Sequence, residues 1–102
     1  MTRFRAAVLG VFMVTFVGCG GPSANERENR KAFEMLLTAI SIKNAKELEK
    51  DATRIDERHR EGRLSDRRHK DLLGIIKEAR AGDWGKAENM AYEFRETYAF
   101  FR

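Results

Sequence analysis

The sequence predicts an all-α fold, a small helical hairpin or three-helix arrangement: a long first helix, then two antiparallel helices, in a single domain behind an N-terminal segment that is not part of it. Three observations predict this. The only proline is Pro22, so no residue after it is barred from a helix interior. Apolar residues between Phe33 and Phe101 recur at spacings of three and four, the period of one helix face. No stretch alternates polar and apolar residues for the length of a strand. At 102 residues the chain has room for one hydrophobic core.

The N-terminal segment is read first. Arg3 and Arg5 precede AAVLGVFMVTFV, Ala6 to Val17, which carries no charge. A basic start followed by an apolar run has the form of a secretory signal. A membrane-spanning helix needs about 20 apolar residues. This run is shorter, bounded by Arg5 and by the glycines and proline of Gly18 to Pro22. The run ends in Phe16, Val17, Gly18 and Cys19, and Cys19 is the only cysteine.

Those four residues resemble the lipobox of bacterial lipoproteins, with Phe16 where that family usually has Leu. The resemblance covers residues 1–19. It implies that residues 1–18 are a signal peptide cut off just before Cys19, that a diacylglycerol is attached to the Cys19 sulfur, and that the new amino group is often acylated too. It further implies an exported protein, held by lipid to a membrane of the bacterial cell envelope and facing the periplasm or the exterior. Each buried lipid methylene contributes about 0.8 kcal/mol, and a lasting anchor takes two or three chains. Two other readings of a lone cysteine stand beside this one, a free thiol and an intermolecular disulfide.

Of the 20 basic residues, Arg3 and Arg5 fall in the signal-like segment, leaving 18 against 16 acidic ones. A chain so nearly balanced, and exported, carries no nucleic-acid footprint. After the cysteine, Gly20 to Asn29 is small and polar, and residues 19–25 are expected to tether a helical domain of residues 26–102.

The first helix is expected over about 27–61. Phe33, Leu36, Leu37, Ile40, Leu48, Ala52 and Ile55 form its stripe. The stripe thins at Ser41 to Asn44, where Asn44 and Glu47 have the spacing of a capping box. With no Gly or Pro there, one continuous helix, bent at that point, is preferred over a break. Gly62 suits the left-handed position that ends a helix, and Ser65 the N-cap of a second over 66–81. That helix turns Leu72, Leu73, Ile75, Ile76 and Ala79 inward. Gly82 ends it and Asp83 caps a third over 84–100, whose inner face is Trp84, Ala87, Ala91, Phe94, Tyr98 and Phe101.

Ala79 to Phe94, ARAGDWGKAENMAYEF, resembles the middle of a tetratricopeptide repeat through Gly82, Asp83, Trp84 and Ala87. The resemblance implies a packed antiparallel hairpin. It does not extend to the family's peptide groove, because no closing proline follows and no second copy is present, whereas such solenoids usually need about three repeats.

Chemistry is sparse. His59 and His69 flank the first turn among Asp56, Glu57, Glu61 and Asp66. Without a helical i, i+4 histidine pair or a second cysteine, they read as solvated side chains and not as a metal site. No glycine-framed serine or Cys–His arrangement suggests a nucleophile, and no cofactor or enzymatic activity is expected. Arg58, Arg60, Arg63, Arg67 and Arg68 crowd the same turn as a candidate contact to an anionic surface. The alternative is intrahelical ion pairing. Trp84, Tyr92 and Phe100 extend past the third helix's stripe and are candidates to dock a partner or a second copy of the chain; otherwise the rings complete the core.

Two functions remain. One is a non-enzymatic, lipid-anchored helical scaffold that recruits or braces another envelope protein. The other is a lipid-anchored binder of a small molecule or cell-wall polymer, for which a closed pocket lined by Trp84 and Tyr98 would speak.

Overall fold

A computed structural model describes residues 23–98, which form four helices and no strand. Helix α1 is Ala24–Ser41, α2 is Ala45–Arg60, α3 is Asp66–Arg80 and α4 is Trp84–Tyr98. Cys19, Phe100 and Phe101 lie outside the described residues.

The expected long first helix is two helices. It ends at Ile42, and Lys43 adopts a left-handed backbone with φ +58°. The Lys43 amide donates to the Ile40 carbonyl at 3.1 Å and the Asn44 amide to the Ala39 carbonyl at 2.9 Å, satisfying two of the last carbonyls. Asn44 then starts α2, its side chain accepting from the Glu47 amide at 3.0 Å. The cap that the Asn44 and Glu47 spacing offered therefore outweighs the absence of a breaker. The chain is also helical from Ala24, inside the expected tether, with Ser23 accepting from the Glu26 amide.

The other two turns use the same device. Gly62 (φ +76°) and Gly82 (φ +87°) sit where Lys43 does. Ser65 caps α3, and Asp83 accepts from the Lys86 amide at the start of α4. A side chain in the left-handed region costs about 1–2 kcal/mol, and glycine avoids that at some cost in unfolded-chain entropy. Lys43→Gly is therefore expected to raise stability by up to about 1 kcal/mol. Urea unfolding should show a higher midpoint with unchanged slope.

Each helix runs antiparallel to the next, and α1 also packs on α4, closing a ring. Side-chain pairs report the register: Ser41 of α1 donates to Glu88 of α4 at 2.9 Å, and Arg80 of α3 grips Glu49 of α2 through two bonds of 2.7 and 2.8 Å. The Arg80 bonds hold the Glu49 carboxyl below its usual range. This pair is half exposed and contributes under about 1 kcal/mol.

The core lies on the axis. Phe33, Leu36, Leu37 and Ile40 of α1 meet Leu48, Ala52 and Ile55 of α2, Leu72, Ile75, Ile76 and Ala79 of α3, and Ala87, Ala91 and Phe94 of α4. Leu64, in the turn after α2, is buried with them. Leu73, expected inside, is 37% exposed, because the buried stripe of α3 runs through its neighbour Leu72. Every buried position of α3–α4 has a buried counterpart 39 residues earlier in α1–α2: Leu72 corresponds to Phe33, Ala79 to Ile40, Ala87 to Leu48 and Phe94 to Ile55. Two helical hairpins of one register, facing each other, build the bundle.

Candidate interaction surfaces

The end of the bundle that holds the start of α1 and the turn from α2 to α3 is a dense polar junction. Arg58 donates through Nε to Asn29 Oδ1 and through Nη2 to Asn25 Oδ1, both at 2.6 Å. Asn25 and Asn29 each donate at 3.0 Å to the Arg63 carbonyl. Arg58 and the two asparagines thereby fasten the first turn of α1 to the α2–α3 turn. Arg68 pairs with Glu26 at 3.1 Å and stands over the Tyr98 ring. Tyr98 in turn donates to Asp71, a bond that raises the pKa of its hydroxyl.

These contacts divide the arginine cluster. Arg58 and Arg68 are engaged by the fold, while Arg60, Arg63 and Arg67 are exposed. Arg63 has Glu61 at 3.3 Å. Exposed Glu57, Asp66 and Asp71 stand among them, so the surface is mixed in sign.

His59 and His69 are brought together by the turn, as a stacked pair. Their rings stack with centroids 3.9 Å apart and planes 11° from parallel. Each ring also faces a carboxylate: His59 Nε2 lies 2.7 Å from Asp66 Oδ1, and His69 Nε2 lies 2.8 Å from Asp56 Oδ1. Both imidazoles thus direct a nitrogen at an aspartate across the turn. Among the described residues, no group of three His, Cys, Asp or Glu side chains is placed to hold a metal ion.

Of the candidate docking aromatics, Trp84 and Tyr92 fall among the described residues. Trp84 is partly buried against the core at the start of α4. Tyr92 is 44% exposed, its hydroxyl donating to Glu88 at 3.0 Å. A groove of about 190 Å³ between α3 and α4 is bordered by Tyr98, Phe94 and Met90 but not by Trp84. Ile42, at the turn opposite the polar junction, is 63% exposed, the most exposed of the large apolar residues described.

A larger groove, about 380 Å³, lies along α1 and α2 and is lined by Glu28, Lys31, Met35, Arg54, Glu57 and neighbouring residues. Behind its wall is Asp51, whose side chain is wholly buried. Arg54 Nη1 donates to Asp51 Oδ1 at 2.9 Å and lies 3.7 Å from the Met35 sulfur. The other oxygen, Oδ2, has no hydrogen-bond partner. Burial pushes the Asp51 carboxyl above its usual range, the Arg54 bond opposing the shift. The sequence carried a signal for this residue: Asp51 stands three residues after Leu48 and four before Ile55, on the buried stripe itself.

Among the described residues no helix is long and apolar enough to cross a membrane. No protein-family model matches the chain, and neither a curated protein nor a solved structure matches it.

Proposed function

We propose that the protein is a lipid-anchored component of a bacterial cell envelope, a non-enzymatic helical module that engages another protein. The sequence Phe16-Val-Gly-Cys19 at the end of an uncharged run carries the reading. The helical body supports it by its position, since Ser23 caps α1 only four residues after Cys19 and a lipid there would hold the bundle close to a membrane. Arg60, Arg63 and Arg67, at the same end as Ser23, are the arginines still exposed toward such a surface. The interaction half of the reading draws on Tyr92 and Ile42, apolar groups left outside the core. The resemblance of α3–α4 to a tetratricopeptide hairpin agrees with such a role without supplying a groove.

Mass spectrometry of the mature N-terminus tests the anchor. The expected species begins at Cys19 and carries acyl mass, and Cys19→Ala is expected to accumulate as uncut, mislocalised precursor. An unmodified thiol at residue 19, or a cut elsewhere, rejects the anchor. Crosslinking of the tagged protein in its own envelope identifies what the bundle touches.

A further inference from the structure

Among the places where the α1–α2 hairpin differs from its α3–α4 counterpart, one puts a carboxylate in the core. At the offset of 39, Met35 corresponds to Gly74 and Asp51 to Met90. In α3–α4, the Met90 methyl group lies 3.7 Å from where a Gly74 Cβ would stand, so a methionine covers that seam. In α1–α2 the methionine comes from the other helix, and a carboxylate stands where Met90 would be. Only one of its oxygens is bonded, and the bond comes from Arg54, whose side chain is 42% exposed in the groove. A buried carboxylate with an unmet oxygen, reached through a half-exposed guanidinium, is a receptor for cationic groups that an intramolecular cation now caps.

The groove above it favours the same charge. Glu28, Glu47 and Glu57 line it and its continuation toward Thr38, and none of the three has an ion-pair partner among the described residues. Of the basic lining residues, Arg54 is held by Asp51 and Arg58 by Asn25 and Asn29, which leaves Lys31 facing outward. Met35 is common to both stretches of the groove and offers a polarizable, adaptable floor to an apolar side chain.

We infer that the α1–α2 groove binds a basic, amphipathic segment of a partner protein: its apolar side chain rests on Met35, and a lysine or arginine takes the place of Arg54 on Asp51. The inference rests on the interaction-module half of the proposed function and is independent of the lipid.

The test uses the full chain in detergent and a fluorescently labelled peptide of leucine and lysine at helical spacing, compared with the same peptide carrying glutamate for lysine. The lysine peptide is expected to bind, more weakly as salt is raised, and the glutamate peptide is not. Asp51→Asn and the double change Glu28→Gln with Glu57→Gln should each weaken binding about tenfold or more while the helical spectrum is kept. Glu93→Gln with Glu96→Gln, on α4, should leave it unchanged. Equal binding of both peptides, no binding of either, or equal loss in the α4 variant overturns the groove. The Cys19→Ala chain should bind as well as the parent, so failure of the anchor and failure of the groove are read separately. Envelope crosslinks that persist when the peptide test fails would leave the module and remove the groove.

Discussion

Phe94→Ala is expected to cost about 3–5 kcal/mol, most of the stability of a bundle this small. Phe94 is 4% exposed and belongs to the core. Its ring stacks on Phe33 of α1 at 5.2 Å and tilts against Tyr98 at 4.7 Å, so it is a principal apolar contact closing α4 onto α1. Truncation removes that contact and leaves a cavity between helices that cannot collapse onto each other without shifting the α3–α4 hairpin. Tyr92→Ala, two residues away on the outer face, should cost under about 1 kcal/mol, because it gives up one exposed hydrogen bond to Glu88. Urea unfolding followed by circular dichroism compares the two. Equal losses would mean that the outer face of α4 is packed, and a tolerated Phe94→Ala would mean that α4 is not held through this ring.

The second large effect has the opposite sign. Asp51→Met places at this position the residue its counterpart already carries, and it should stabilise the bundle by about 1 kcal/mol or more at neutral pH, because it removes a buried carboxylate with an unmet oxygen, offset in part by the larger side chain. The dependence on pH follows from the direction of the shift. Burial raises the folded pKa above the unfolded value, so the folded protein holds a proton that the unfolded chain has already lost. Stability of the parent relative to the variant therefore falls as pH rises from the unfolded value, near 3.8, through the raised folded one, and is lowest above it. The other charged groups acting on the carboxylate are Arg54, Glu47 and Lys50 of its own helix, and Arg54 in turn lies against the Met35 sulfur of α1. Thermal unfolding of parent and variant across that range should give curves that converge in acid and separate toward neutrality. A constant gap would show that Asp51 does not titrate there.

Most of the bundle could be read from the sequence because most of it is set locally. Gly62 and Gly82 announce left-handed turns, Ser65 and Asp83 announce the helix starts after them, and the apolar spacing marks 14 of the residues found buried from Phe33 to Phe94. The turn at Lys43 was harder to read because its left-handed position is filled by a residue that normally avoids it. The signal that remained was Asn44 with Glu47, and it competed with a stripe that runs on from Ile40 to Leu48. The likeness of the two hairpins was hidden for a related reason: packing asks only for apolar bulk, and Phe33 with Leu72 or Ile55 with Phe94 satisfies it without shared identity. The polar junction was not legible at all. Arg58 meets Asn25 and Asn29 across 33 and 29 positions of sequence, and only the closed ring of helices makes them neighbours. Asp51 was legible in position but not in consequence, since a stripe shows burial and not whether both carboxylate oxygens find partners.

The antiparallel order places Ser23 and Tyr98 at one end of the bundle and the turns at Lys43 and Gly82 at the other. At 1.5 Å per residue, α1 is about 27 Å long, the longest of the four helices. If Cys19 is held in a bilayer, Ile42 at the far tip can stand no more than about 45 Å from it, the length of the helix plus a few residues of fully extended chain. A protein engaged anywhere on this surface would then itself be met within that distance of the lipid. The bundle would act as a short post at the membrane face and could not reach across a wide gap.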